Sequence, residues 1–345
     1  MSLYFAFHFP EYRKNQIELL TLLVLALIQA KDIRHTALAE RCGGNAQTAS
    51  VIRKIERFFD RHPVCHADVA RLVLTLLPDT KKREFAIDRT NWKLGRTDVN
   101  ALFLAVIWRG VAVPLLFELL PHGGNSDTST RLTLLDNTLT LLDCWEVATL
   151  YADREFIGQE WIQGLAERGI PITVRLRVDT RIEEMPAGDW LQDLQPDRKF
   201  MLLDQMTVYG VPMNVVLTRT DQGEALIVAS NATTAERILK GYRQRWKIEC
   251  LFRALKTKGF NLENTHMTLP AHVTRLLCLL ILGYVWSVLV GIDQDAKLKK
   301  HGRRAWSVVT LGLRSLVRAC ACHIENSADD LLNLIQLWMP LQRIA

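Results

Sequence analysis

Two aspartates and one helix face carry most of the chemistry that this sequence can do. Glu84-Phe-Ala-Ile-Asp88 reads as a short buried strand ending in a carboxylate, and the apolar run Val147 to Ala152 ends the same way at Asp153. In a sheet with helices on its faces, functional side chains gather at strand ends. An Asp there is either a metal ligand or a solvated strand terminator. Further on, Tyr242, Arg245, Glu249 and Lys256 stand at relative positions 0, 3, 7 and 14 of a predicted helix. At about 100° per residue they fall within an arc of roughly 60° and form one stripe. Ile248, Leu251, Phe252 and Leu255 form an adjacent apolar stripe suited to packing on a sheet. The helix thus presents a carboxylate flanked by cations and a phenol. Arg245 and Glu249 are also an i,i+4 pair, which on an ordinary surface helix is worth only tenths of a kcal/mol.

The elements that must position these residues read as follows. Residues 1 to about 80 are helical, and within them Thr36 to Ala39, Gly43-Gly44 and Gln47 to Phe59 resemble a helix-turn-helix. Its second helix carries Val51, Ile52 and Ile55 on one face and Arg53, Lys54 and Arg57 on others. Arg53 and Arg57 are candidate DNA contacts, although an ordinary antiparallel helix pair gives the same pattern. After the strand ending at Asp88, the runs Ala101 to Trp108 and Val111 to Glu118 flank a hairpin turn at Arg109-Gly110. A helix over Thr130 to Leu142, the strand ending at Asp153, a helix over Ile157 to Glu167 and a strand over Ile172 to Val178 follow. Three strands and then alternating helix and strand is the order of a mixed sheet flanked by helices, an α/β fold.

Pro, Gly and Asp punctuate residues 179 to 225 around short strands such as Met213 to Leu217, which reads as a β-rich insertion, with Leu226 to Ser230 as its last strand. A long helix is predicted from about Thr234 to Lys258, ended by Gly259. The remainder is helical, with a basic loop at Lys297, Lys299, Lys300, Arg303 and Arg304. The expected organisation is a helical N-terminal DNA-binding region over 1–80 and a catalytic core over 81–178 and 226–268. The β-rich insertion occupies 179–225, and an all-α C-terminal region 269–345.

The spacing Tyr-x2-Arg-x3-Glu-x6-Lys resembles the signature of the IS4 family of bacterial insertion-sequence transposases. Asp153-Arg154-Glu155-Phe156 resembles that family's second-Asp block and Asp88-Arg89-Thr90 its first, and the three blocks stand in the family's order. The resemblance covers about residues 84 to 265. It implies an RNase H-like core with a β-rich insertion between the second Asp and the Glu. It also implies two Mg²⁺ ions, with Mn²⁺ able to substitute, held by Asp88, Asp153 and Glu249. Asp88 would bridge the ions, as three carboxylates with waters and phosphates suffice for hard cations. Tyr242, Arg245 and Lys256 would position the DNA backbone, with Arg253 and Trp246 flanking them. The chain departs from the family at one point. Better-known members hold a flipped base against a Trp shortly before the Tyr-Arg-Glu-Lys helix, while here the sole Trp between Trp161 and Trp246 is Trp190. Trp190 or Tyr209 would have to substitute, or the hairpin intermediate is not used.

The function so implied is metal-dependent cleavage at inverted-repeat ends and transfer of the freed 3′-OH into target DNA, by a homodimer on paired ends. Alternatives are an RNase H-like nuclease without strand transfer and a non-catalytic DNA-binding regulator. A net charge of +6 suits a polyanionic partner. Seven scattered cysteines suit reduced thiols in a cytosol, and Cys320, Cys322 and His323 lack the four spaced ligands of a zinc site. Leu19 to Ile28 is too short to span a bilayer, and Leu276 to Ile292 reads as a core helix, so no membrane partner is expected. The expected location is the bacterial cytoplasm, at the nucleoid.

Overall fold

Apolar stripes at helical spacing open the chain and fold as five helices. They are α1 (Ser2–His8), α2 (Lys14–Ala30), α3 (His35–Ala39), α4 (Thr48–Arg61) and α5 (His66–Leu76). The computed structural model describes residues 1–322 apart from 44–45, 78–80, 196, 296 and 301–303. The turn of the helix-turn-helix reading at Gly44, the cation Arg303, His323 and the helix expected over Leu331 to Leu341 lie outside the described residues. Contacts divide the chain into two units. One comprises Met1–Asp79, Asn91–Asn100 and Leu251–Ala345, the other Thr80–Thr90 and Ala101–Cys250.

The second unit is built on strands, drawn in order from a ten-stranded sheet. Strands β1 (Arg83–Leu94), β2 (Thr97–Trp108) and β3 (Val111–Leu120) come first, with the far ends of β1 and β2 grouped in the other unit. Two-residue turns join them at Gly95 and at Arg109-Gly110, where positive φ at Gly95, Arg109 and Gly110 fits tight hairpins. Then come α6 (Thr128–Leu139), β4 (Val147–Ala152), α7 (Gln159–Glu167) and β5 (Ile172–Arg175). The Asp127 carboxylate caps α6 by accepting from the Thr130 N–H at 2.7 Å. Next are β6 (Arg181–Ile182), β7 (Met185–Pro186), α8 (Ala187–Trp190), β8 (Phe200–Val208), β9 (Val211–Arg219) and β10 (Ala225–Ser230).

Spatial order along the sheet is β3-β2-β1-β4-β5-β10-β9-β8-β6-β7. β1, β4 and β5 run parallel, pairing Ala86 with Tyr151 and Tyr151 with Thr173. β10 is antiparallel to both β5 and β9. The β-rich stretch is therefore a continuation of the core sheet, because β10 offers one edge to β5 and the other to β9. The strands are also longer than periodicity suggested: β9 extends over Val211–Arg219, and β1 runs on past Asp88 to Leu94. β5 stops at Arg175, short of the expected Val178.

The expected single helix over 234–258 is instead four helical pieces. Thr234 caps α9 (Ala235–Tyr242), a 3-10 turn covers Arg243–Arg245, α10 is Trp246–Arg253, and a π-helical turn covers Ala254–Lys258. Ala235 and Ile238 of α9 bury against Val216 and Val228 of the sheet. Fully burying a side chain the size of Ile238 stabilises a fold by about 1.5–3 kcal/mol, so this contact helps fix the helix on its face.

In the first unit, α11 (Pro270–Ile292) packs against α2, α4, α5 and α12 (Val308–Cys322). It is long and apolar enough to cross a membrane, yet its apolar window is 89% buried inside the protein. Core packing accounts for its composition, as expected. Arg275 donates to the carbonyls of Phe59 (2.7 Å) and His62 (2.8 Å), occupying acceptors at the end of α4. Gly312 lets α12 sit against α11, because a Cβ there would lie 1.8 Å from the Ser287 carbonyl oxygen.

Candidate active site

Asp88 and Asp153 come together through strand pairing. The parallel register that matches Ala86 with Tyr151 leads, two residues on, to Asp88 and Asp153. Asp153 directly follows β4, whereas Asp88 lies inside β1 and not at its end. Each carboxylate accepts from the backbone N–H of the next residue, Arg89 to Asp88 Oδ1 at 2.8 Å and Arg154 to Asp153 Oδ1 at 2.7 Å. The two Asp-Arg blocks are thus shaped alike. They are also linked, as Arg89 Nε donates to Glu155 Oε1 at 3.0 Å.

The broken helix supplies the rest. In a 3-10 turn side chains three apart eclipse one another, which stands Tyr242 over Arg245. Tyr242 Oη donates to Asp153 Oδ1 at 3.3 Å, and Arg245 Nη1 lies 3.8 Å from Asp153 Oδ2. The same Nη1 donates to Asp88 Oδ2 at 3.2 Å, while Nη2 donates to Glu249 Oε1 at 2.5 Å. One guanidinium is therefore shared by Asp88, Asp153 and Glu249. All three carboxylates expected from the sequence meet, together with Tyr242 and Arg245.

The pocket is half-buried, with side-chain exposure of 11% for Arg245 and 16% for Asp88. Burial raises the Asp88 carboxyl to about 6; the Arg89 N–H and Arg245 pull it down, and Asp153 and Glu249 push it up. Burial opposes the Arg245 charge too, but Asp153, Tyr242, Glu249 and Asp88 outweigh it and hold its pKa above the ordinary value. Burial, then the charge of Asp153, raises Tyr242 well beyond the usual phenol range. With every group ionised, three carboxylates face one guanidinium, and negative charge is left over. An all-oxygen donor set carrying surplus negative charge fits hard divalent cations. Among the described residues no trio of His, Cys, Asp or Glu is gathered about a single point, because these carboxylates turn onto Arg245.

Other sequence candidates lie elsewhere. Lys256 falls in the π-helical turn, where the 100° phase that placed it on the stripe no longer holds, and its ammonium pairs with Glu263 at 2.9 Å. Arg253 is exposed near the end of α10, in the same unit as Lys256. Trp246, which could have been core, is 51% exposed. Trp190 is half-buried and donates through Nε1 to the Ile182 carbonyl at 3.3 Å, so it packs its own segment. Tyr209 sits at the turn between β8 and β9 with φ of 52°. Arg53 and Arg57 are exposed on α4. Cys320 is half-buried in α12. Sequence reasoning assigned no role to Arg154, Arg175 and Arg177, which line a cleft of about 500 Å³. The alternation of Arg175 and Arg177 at the carboxyl end of β5 was the available signal.

A family model described as "Transposase DDE domain" matches residues 79–286, more than half of the chain. The chain belongs to the transposase DDE domain family. Membership makes it a transposase and a nucleic-acid-cleaving enzyme, and the matched span contains all five residues of the carboxylate cluster. Compared with curated proteins, the sequence matches none. Among solved structures, the chain is similar to a piggyBac transposase synaptic complex with hairpin DNA, with TM-score 0.49 and 12% identity. That match covers 94% of this chain and 76% of the other. It is also matched to an endonuclease V from Bacillus subtilis, with TM-score 0.28 and 12% identity, over 69% of this chain and 93% of the other.

Proposed function

We propose that this transposase is of the IS4 type and cuts DNA at the inverted-repeat ends of its element, then joins the freed 3′-OH to target DNA. The observation that carries this is the convergence of Asp88, Asp153 and Glu249 on Arg245, with Tyr242 on Asp153. The strand order β3-β2-β1-β4-β5, with β1, β4 and β5 parallel, supports reading the sheet's first half as an RNase H-like core. β6 to β9 are then the insertion that precedes the third carboxylate.

Two Mg²⁺ ions, or Mn²⁺, would be held by Asp88, Asp153 and Glu249, activating the attacking hydroxyl and neutralising charge on the leaving oxygen. The protein's own groups have separate tasks. Arg245 keeps three carboxylates together in a half-buried site where their mutual repulsion would otherwise part them. Its planar fork also suits a phosphate oxygen, so it is placed to orient the scissile phosphate. Tyr242 keeps its proton at neutral pH and acts as a hydrogen-bond donor, to Asp153 or to phosphate, rather than as a base. Lys256, Arg253, Arg53 and Arg57 are assigned to contacts with the DNA backbone, the last two through the helical region 1–80. The flipped base, if one forms, finds Trp190 engaged in packing, which leaves Tyr209. Two ends must be cut together, so a homodimer on paired DNA in the bacterial cytoplasm is the expected working form.

Incubation of the full chain with linear DNA bearing the element's inverted repeats, in Mg²⁺ and in EDTA, tests this reading. Metal-dependent nicking at the repeat ends, absent in Asp153→Ala and Glu249→Ala, is expected. Nicking retained by Glu249→Ala would remove that residue from the site. Binding of the repeats with no cutting under any metal would make the chain a DNA-binding regulator.

A further inference from the structure

A cavity of about 670 Å³ lies in the sheet-bearing unit at the opposite end of β4 from Asp153. Its walls come from the starts of β1, β4 and β5, from the segment after β10, and from α9. Glu84 and Thr149, both in its lining, precede Asp88 and Asp153 by four residues each, about 13 Å along a strand at ~3.3 Å per residue. Arg237, Lys240 and Gln244 reach it from α9 and the 3-10 turn, on a different side of the helical axis from Tyr242 and Arg245.

The hydrogen-bonding capacity of this cavity is lopsided. Arg237 and Lys240 are exposed, and neither has an ion-pair partner among the described residues. The Gln244 amide also lacks a partner there. Asn231 spends its carbonyl oxygen on the Ile172 N–H at 2.8 Å, which leaves its amide NH₂ as a donor. The acidic group present, Glu84, accepts from Tyr151 Oη at 2.8 Å and is thereby partly satisfied by the fold. Donors in excess and two uncommitted cations favour an anion. Apolar atoms share the lining, so it is the two exposed, unpaired cations and the surplus of donors that favour an anion here.

We infer that this cavity is a second phosphate-backbone site, in which Arg237 and Lys240 hold phosphodiester groups of the same DNA that enters the carboxylate cluster. The inference rests on the transposase reading of that cluster. The two sites are separated by about four phosphate steps of a duplex at ~3.4 Å each, so one DNA segment can reach both. Arg supplies a forked contact and Lys a point charge, neither selective for sequence.

Affinity of the full chain for duplex DNA, measured by anisotropy across a series of salt concentrations in EDTA, tests it. Each lost phosphate contact removes about 0.9 from the slope of log K against log salt. The Arg237→Gln, Lys240→Gln double variant should therefore bind more weakly with a slope shallower by about 1.8. Gln244→Glu, which places an anion in the cavity, should weaken binding as well. Arg237 and Lys240 are exposed and Gln244 is half-buried, and an unchanged melting temperature reports that each variant folds. Wild-type affinity and slope in both variants would overturn the site while leaving the transposase reading intact. No DNA binding by the wild type would overturn both. If inorganic phosphate or a deoxynucleoside monophosphate, at matched ionic strength, abolished the difference between wild type and double variant, the cavity would belong to a small phosphate ligand instead.

Discussion

Arg89 and Glu155 join the two Asp blocks of the site, with Arg89 Nε donating to Glu155 Oε1 at 3.0 Å and Nη2 to Oε2 at 3.3 Å. Each is one residue or two from a carboxylate of the cluster, so the pair clamps β1 to the segment after β4 where Asp88 and Asp153 must meet. Both side chains are about one-fifth exposed. Forked pairs at this depth lie between surface bridges, worth up to about 1 kcal/mol, and buried ones, whose disruption costs about 3–5 kcal/mol. Glu155→Gln should therefore destabilise the protein by about 2 kcal/mol, with a double-mutant cycle against Arg89→Gln recovering most of that as coupling. A coupling near zero would show that the clamp does not hold the blocks.

Asp88 gives the metal-free protein a pH dependence. Its carboxyl is raised to about 6 from an ordinary 3.8, so between those values the folded state holds a proton that the unfolded chain has lost. Stability is therefore lost as pH rises from about 4 to 6. About two pKa units at 1.36 kcal/mol each amount to roughly 3 kcal/mol at most. In EDTA, thermal melts at pH 5 and pH 7.5 should show this loss, and Asp88→Asn should flatten it. Because a proton and a divalent ion compete for this carboxylate, the melting-temperature gain from Mn²⁺ should be larger at pH 7.5 than at pH 5. An equal gain at both would remove Asp88 from the ligand set.

Much of this was legible in the sequence. The strand before Asp153, the turn at Arg109-Gly110 and the Tyr-Arg-Glu spacing were all visible, because apolar period and i,i+3/i+4 spacing are local properties. What failed depended on neighbours. β1 continues past Asp88 because β2 pairs with it, and the chemistry of Asp88 itself gives no sign of that. The β-rich stretch joins the core sheet through β10, whose six residues cannot announce which strands flank them. Lys256 left the predicted stripe because the helix turns π after Arg253, a local change that a fixed 100° period cannot register. Arg154 follows β4, whereas Arg175 ends β5 and Arg177 lies just beyond it, so the three meet only in the fold.

Arg245 is the cation on which the site closes, and its replacement should separate charge from shape. Arg245→Lys keeps the charge but not the fork that reaches Asp88 and Glu249 together. Arg245→Gln leaves three carboxylates with no compensating charge. Cleavage should fall in both, by roughly 100-fold or more if the fork also contacts the transition state. Stability in EDTA at pH 7.5 should fall further in Arg245→Gln than in Arg245→Lys, and added Mn²⁺ should narrow that gap. If Mn²⁺ left the gap unchanged, the carboxylates would not be the ion's ligands.

Gly241 sets how closely α9 approaches β4, one residue before Tyr242. A Cβ at this position would lie 3.1 Å from the Tyr151 ring and hydroxyl. Tyr151 is 3% exposed and tied to Glu84, so it has little room to yield. Alanine in a helix is favoured over glycine by about 1 kcal/mol, which opposes the cost of that contact. In Gly241→Ala the two effects should nearly cancel in stability, while α9 moves outward by a few tenths of an ångström and carries Tyr242 with it. Misplacement by about 1 Å can cost roughly 100-fold in rate, so a shift of this size should slow cleavage several-fold. Melting temperature and single-turnover cleavage, measured on the same preparation, separate the two. A variant that is much less stable but cuts normally once folded would mean that Tyr151 gives way and α9 stays in place.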